Sequence, residues 1–233
     1  DHATVDYLKK LKCPAYKIAS AEITDIPLME KVAKTKKPII ISNGLANLND
    51  LKLAIKTIRK YNKKLIVLKC TASYPAPIET LNLKMIKYLR RRFRVLTGFS
   101  DHTLGTSLSV FAASKGAVMI EKHIKMNNEK KSVDSFFSIS TNELSEMINQ
   151  IRNNEKSYGK IDYKIAQSAK LNLKSRKSLF VIKNINKGEV FSEENIRSIR
   201  PSGGLHPKYY KKILGKKSKI KLKFGTALKP KHF

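Results

Sequence analysis

Five short apolar runs punctuate the first part of the chain, at residues 15–19, 38–42, 65–69, 95–99 and 118–124. β-Branched and aromatic residues are common in them, as strands buried on both faces require. Between the runs, stretches near 25–34, 48–61, 81–92 and 105–115 carry apolar residues at helical spacing. Asn49-Asp50 is the expected cap of the second stretch. A further helix over about 141–156 is expected to open on Thr141-Asn142-Glu143-Leu144 as its cap, with an apolar face through Leu144, Met147 and Ile151. Each unit recurs after roughly 22–30 residues, the period of a βα repeat. Five such units are too few to close an eight-stranded barrel. An open doubly wound sheet is the other arrangement, although no glycine-rich phosphate loop follows a first strand. The expectation is an α/β chain whose residues 1–156 form a partial (β/α)8 (TIM) barrel, about its last five βα units.

After residue 156 the pattern changes. Residues 157–175 are polar and lysine-rich and read as a linker. From Ser178 onward short strands and turns take over, so 176–233 is expected to be a small β-rich domain. Within it residues 180–191 and 219–228 echo each other, each reading as strand, glycine turn, strand around Gly188 and Gly225. The echo predicts an internal duplication.

Charge changes this picture less than its size suggests. The 233 residues carry a net charge of +30, which would attract nucleic acid or an anionic membrane surface. Only nine of the basic residues are Arg, and the lysines decorate helix after helix, as at Lys52, Lys56 and Lys60 on one helix face. Nucleic-acid binders tend to cluster Arg and aromatics on one element. Only Arg90-Arg91-Arg92-Phe93-Arg94 is dense, and it precedes a strand on a helix end. A solvated lysine-rich surface with no specific nucleic acid is therefore expected, and a polyanion-binding module is the rival. No stretch approaches the roughly 18 apolar residues that span a bilayer. Cys13 and Cys70 lie far apart without CxxC spacing and read as buried free thiols of a cytoplasmic protein. Residues 1–6 lack a basic start followed by an apolar run, so they do not read as a signal peptide, and the chain reads as starting within a helix.

The candidate chemistry follows the strands. Lys17 and Ser20 close the first run, Ser42-Asn43-Gly44 the second, Cys70-Thr71-Ala72-Ser73-Tyr74-Pro75 the third and Ser100-Asp101-His102-Thr103 the fourth. Glu121-Lys122-His123 lies in the last. Barrel enzymes place their catalytic groups at this carboxyl-end face. His102 and His123, at the ends of neighbouring strands, suit a divalent metal that keeps open positions and polarises a carbonyl. Asp101, Glu121 and Asp134 are candidates for further oxygens or supporting contacts. Lys17, Ser20, Ser42, Thr71, Ser73 and Ser100 make a ring of donors suited to a phosphate or carboxylate. Lys17 lies between apolar Tyr16 and Ile18, so its charge needs an anionic partner if it points inward; a Schiff-base role is a separate reading. Arg200-Pro201-Ser202-Gly203-Gly204-Leu205-His206-Pro207 is a glycine-hinged loop that could hold Arg200 against a sugar carboxylate or phosphate.

Tyr16-Lys17-Ile18-Ala19-Ser20, Cys70-Thr71 with Tyr74-Pro75-Ala76-Pro77, Ser100-Asp101-His102-Thr103-Leu104-Gly105 and Ile120-Glu121-Lys122-His123 resemble, in this order, the sialic acid (nonulosonic acid) synthase family. The tail resembles that family's C-terminal antifreeze-like (SAF) domain. Val133-Asp134-Ser135-Phe136, Ser198-Ile199-Arg200-Pro201 and Gly204-Leu205-His206-Pro207-Lys208-Tyr209-Tyr210 look most like the pseudaminic acid synthase branch, with N-acetylneuraminate and legionaminate synthases as rivals. The resemblance implies condensation of phosphoenolpyruvate with the open-chain aldehyde of an amino sugar, giving a nine-carbon sialic-type acid and phosphate. It implies that His102 and His123 hold a divalent ion, manganese first and magnesium or cobalt next. It places Lys17, Ser20, Ala72 and Ser100 at phosphoenolpyruvate-binding positions, with Ala72 where the family pattern often has Asn. Tyr74 and Asp134 fall where the sugar is contacted. Arg200 would serve the site of a second copy in a domain-swapped homodimer. Family members carry a further N-terminal region with three barrel strands, a catalytic Glu and another phosphate-binding Lys. The chain is therefore expected to be an N-terminally truncated fragment, inactive alone, with a noncatalytic remnant as the alternative. The loop at 127–132 bears Lys130 and Lys131 where relatives usually have glycine, which is expected to change how it closes.

Overall fold

In a computed structural model, which describes residues 1–127 and 132–233, the strand and helix patterns sort into two compact units, Asp1–Lys160 and Ile161–Phe233. Lys130 and Lys131 lie outside the described residues. The first unit opens with helix α1 (His2–Lys10), whose first turn is capped by the Asp1 carboxylate accepting from the Thr4 N–H. Strands and helices then alternate: β1 (Tyr16–Ile18), α2 (Ile26–Lys34), β2 (Ile39–Ser42), α3 (Leu48–Tyr61), β3 (Leu65–Cys70), α4 (Lys84–Phe93), β4 (Leu96–Asp101), α5 (Ser107–Ser114) and β5 (Ile120–Lys122).

All five strands are parallel and lie in chain order. Each connection returns to the neighbouring strand, as in a (β/α) barrel. A doubly wound sheet would instead reverse direction at a switch point. Alternation along the strands separates two faces. Tyr16, Ile18, Ile39, Ile41, Leu65 and Val67 are buried in one cluster with Met29, Val32, Ala54, Ile55 and Ile58 from α2 and α3. Phe99 packs with Ala76, Leu81, Ile86 and Ala112 in a second cluster. The other face carries polar groups, and the register sets Cys70, Ser100 and Glu121 side by side on β3, β4 and β5.

Local details correct three expectations. The cap of α3 is Asn47, whose side chain accepts from the N–H groups of Asn49 and Asp50, while Asp50 returns a bond to the Asn47 N–H. The last helix of the first unit, α6 (Thr141–Tyr158), is capped by Ser140, with Glu143 completing the same reciprocal box. In both cases a polar residue just ahead of the expected start satisfies the free N–H groups. The run at 118–124 is not one strand. It breaks at His123 between β5 and β6 (Ile124–Lys125), because β6 leaves β4 to pair in parallel with β7 (Ile139–Ser140). No helix among the described residues is long and apolar enough to cross a membrane.

In the second unit, β8 (Ser178–Val181) and β9 (Ile196–Ile199) pair antiparallel, and a one-turn helix α7 (Tyr210–Ile213) packs Ile213 into a core of Leu179, Val181, Ile185, Phe191, Leu222 and Leu228. Residues 157–175 are not a plain linker: α6 runs to Tyr158, and Gln167–Ser175 forms 3-10 helix. Most of the echoing runs do not make strands of their own. They face each other across isolated antiparallel bridges, Phe180 to Ala227 and Ile185 to Leu222, and Val190 continues the same register to Lys217, just ahead of the second run. The two echoing runs are thus partners in one ladder, with Gly188 and Gly225 turning at positive φ.

Candidate active site

The polar face of the sheet gathers most of the strand-end residues. Lys17 Nζ lies 3.4 Å from Glu121 Oε1, which is the anionic partner its setting demanded. The same carboxylate oxygen accepts from Ser100 Oγ at 2.7 Å. Between them stands Cys70, buried, hydrogen-bonded to Ser100 and close enough to feel Lys69, Lys17 and Glu121. Burial pushes its thiol above the ordinary range, against the pull of Ser100 and the two lysines, so it stays protonated. Gly44 closes the group. A methyl there would stand 2.9 Å from Cys70 Sγ, 3.1 Å from Ser20 Oγ and 3.2 Å from Ala72 Cβ. The absence of a side chain at Gly44 thus lets β1, β2 and β3 bring Ser20, Cys70 and Ala72 together. Ser42 is also buried, and its hydroxyl has no hydrogen-bond partner, which leaves a donor available to a ligand.

The histidines form the adjoining group. His102 and His123 ring centroids are 5.4 Å apart. His102 Nδ1 lies 2.9 Å from the Thr71 carbonyl oxygen, which can only accept. Nδ1 therefore carries the proton and Nε2 presents a lone pair. Burial holds His102 below its ordinary value of 6.5, so it is neutral at pH 7 and able to ligate. His123 Nδ1 is 3.4 Å from Asp134 Oδ2. Tyr74, which follows Ser73 at the cis Tyr74–Pro75 bond, packs its ring 4.2 Å from His102 and 5.8 Å from His123. Burial raises its phenol, so it stays a neutral hydrogen-bond donor.

This donor set suits a divalent ion with open positions. Two imidazoles are close together, one has its tautomer fixed by a carbonyl, and the environment is half-buried. Among the described residues no group of three His, Cys, Asp or Glu side chains is arranged to hold a metal, so other ligands would be oxygens from water or substrate. Asp101 and Glu121, candidates for such oxygens or for supporting contacts, are engaged by other side chains, which leaves them the supporting place. Glu121 serves Lys17 and Ser100. Asp101 faces away from the site, where it pairs with Lys122 and accepts from Thr103 and Ser109.

Other residues take supporting places. Thr71 accepts from Lys69 at 3.2 Å through its hydroxyl while its carbonyl holds His102. Ser73 donates to the Pro75 carbonyl. Lys69 went unnoticed in the sequence because it ends an apolar run. It is buried, its Nζ is capped by the Cys70 carbonyl and Thr71, and desolvation lowers its ammonium from 10.5. A cavity of about 540 Å³ lined by Pro38, Lys63, Lys64, Arg90 and Arg94 lies at the amino ends of the strands, the wrong end for this chemistry. In the second unit Arg200 is exposed at a cis Arg200–Pro201 bond. Its loop is pinned by Ser178 Oγ, which donates to the Pro201 carbonyl and accepts from the Gly204 N–H, both at 3.0 Å.

The comparisons with known proteins agree with the geometry. The NeuB family matches residues 1–163, and the SAF domain matches residues 176–233. Pseudaminic acid synthase from Campylobacter jejuni (strain 81-176) is 42% identical over 230 residues, covering 98% of this chain and 67% of that protein. N,N'-diacetyllegionaminic acid synthase from Campylobacter jejuni (strain ATCC 700819) is 38% identical over 220 residues, 93% of this chain and 66% of that one. The chain thus spans about two thirds of the length of these relatives. The crystal structure of the spore coat polysaccharide biosynthesis protein SpsE from Bacillus subtilis superposes with a TM-score of 0.66 at 30% identity, over 100% of this chain and 71% of that one. The parallel half-barrel, its strand-end motifs and the trailing β-rich unit therefore have one common explanation: this chain belongs to the NeuB family and carries a SAF domain at residues 176–233.

Proposed function

We propose that this chain serves the condensation of phosphoenolpyruvate with an amino-sugar aldehyde, forming a nine-carbon sialic-type acid and phosphate, with pseudaminic acid as the favoured product. The observation that carries this reading is the adjacency of two groups on one sheet face. Lys17, Ser20, Ser42 and Ser100 form an anion-binding set, and His102 and His123 stand beside it with Tyr74. The higher identity to the pseudaminate than to the legionaminate enzyme supports the choice of product.

In this reading Lys17 and the serine hydroxyls orient the phosphate and carboxylate of phosphoenolpyruvate, a task suited to charge-assisted donors. Lys17 exchanges part of its contact with Glu121 for the substrate. Ala72 contributes shape but no donor. Tyr74 and Asp134 face the sugar, and the Tyr74 hydroxyl can hold an aldehyde or hydroxyl oxygen. C3 of phosphoenolpyruvate bonds to the aldehyde carbon, water adds at C2 and phosphate leaves. A divalent ion on His102 and His123, manganese first and magnesium or cobalt next, supplies Lewis-acid polarisation of the aldehyde. The reading also includes a homodimer in which Arg200 serves the site of a second copy, and a cytoplasmic location.

Phosphate release from phosphoenolpyruvate with Mn²⁺ is the test, run after mixing this chain with the N-terminal third of a family member and with the amino-sugar substrates of the pseudaminate, legionaminate and neuraminate synthases in turn, because the chain by itself is expected to be inactive. Release with the first alone is expected, and its loss in Lys17→Ala. Folded protein that binds phosphoenolpyruvate and Mn²⁺ yet releases no phosphate with any sugar would set the catalytic reading aside in favour of a noncatalytic role.

A further inference from the structure

Asp101 and Lys122 are the last residues of β4 and β5 and stand in register. Each immediately precedes one of the two histidines. Their side chains are 0% and 2% exposed, with Lys122 Nζ 3.0 Å from Asp101 Oδ2. Every lone-pair direction of the carboxylate is engaged. Oδ1 accepts from the Thr103 N–H at 2.8 Å and from Thr103 Oγ1 at 2.7 Å, and Oδ2 accepts from Ser109 Oγ at 2.6 Å. Lys122 Nζ also donates to the Thr103 carbonyl at 2.7 Å.

The position of this cluster matters more than its strength. The β4–β5 ladder ends at Asp101 and Lys122. Beyond that point the two chains part: the His102 carbonyl accepts from the Ala76 N–H, and the His123 carbonyl accepts from the Ile139 N–H. The backbone alone therefore does not hold one histidine against the other. Alternation along the strands puts the ion pair on the helix side and the imidazoles on the site side. Replacing a buried ion pair by packed apolar residues is often neutral or stabilising, and register is its best-attested service.

We infer that Asp101 and Lys122 are positioning residues that hold His102 and His123 at a coordinating separation, and that fold stability is not their main contribution. This rests on the reading of the two histidines as metal ligands. The test is calorimetric titration of the full chain with MnCl₂ alone, alongside thermal unfolding. The variants are Asp101→Leu/Lys122→Met, Lys122→Arg and, as a control, His102→Ala/His123→Ala. The apolar pair is expected to melt near wild type yet bind Mn²⁺ roughly 10–100-fold more weakly, the range for losing ligand-orienting contacts. Lys122→Arg keeps the charge and is expected to stay near wild-type affinity. Wild-type affinity in the apolar pair overturns the inference while leaving the metal site standing. A wild-type chain that does not bind Mn²⁺ overturns the metal reading itself. If the apolar pair does not fold, Lys122→Met is compared with Lys122→Arg. Equal affinities, or an unfolded Lys122→Met, would mark the pair as a stability element and also overturn the inference.

Discussion

Gly44 shows how one missing side chain can shape a pocket. Its Cα faces Cys70, Ser20 and Ala72 at distances that exclude a methyl without displacement. Gly44→Ala is expected to push Ser20 and Cys70 outward and weaken phosphoenolpyruvate binding by roughly tenfold, since small misplacements at a site are costly. Calorimetric titration with phosphoenolpyruvate checks this, and unaltered affinity would argue that the anion sits elsewhere. Much at this scale was readable beforehand. Lys17, Ser20, Ser42, Ser100, His102 and His123 stand out as candidates in the sequence because polar residues at the carboxyl ends of apolar strands have few structural reasons to be there. The pairing of those residues was not readable. Glu121, a candidate for a further oxygen or a supporting contact, meets Lys17 and Ser100, because register, which depends on neighbouring strands, decides who meets whom.

At the scale of elements, the 3-10 turn at Pro230–His232 offers a pH test of the second unit. His232 is buried, and its Nδ1 accepts from the Lys229 N–H. Burial, then the charges of Lys231 and Lys229, hold its imidazole below the ordinary 6.5. The unfolded chain therefore binds a proton more readily than the folded one. The stabilisation is complete above about pH 6.5 and is lost as pH falls through that value and then through the lowered folded one. A falling unfolding midpoint of residues 161–233 between pH 7.5 and 5 is expected, with a shallower fall in His232→Gln. Parallel slopes would assign the acid sensitivity to other groups. Helices and strands themselves were largely legible, α3 over the whole of Leu48–Tyr61, because periodicity is a local property. The caps at Asn47 and Ser140, the break at His123 and the pairing of the two echoing segments were not, since each depends on a partner elsewhere or on a choice between adjacent polar residues.

For the whole molecule, 48 basic against 18 acidic residues make electrostatic attraction to any polyanion unavoidable at low salt. Lys52, Lys56, Lys60 and the arginines of α4 are exposed. Binding to random-sequence DNA is expected to be weak at physiological ionic strength and to fall steeply with added salt, as counterion release requires. Fluorescence anisotropy across a salt series checks this; tight binding that persists at physiological ionic strength would revive the polyanion-binding reading. The sequence alone determined the class of fold, the existence of two units and which strand ends gather polar residues, because burial period and turn chemistry are written locally. Tertiary structure alone decided that the five strands run in chain order, that Lys17 meets Glu121 and that Asp101 turns away from the two histidines to Lys122. Those outcomes depend on register and on competition among buried charges for the nearest partner, and neither is a property of any one segment.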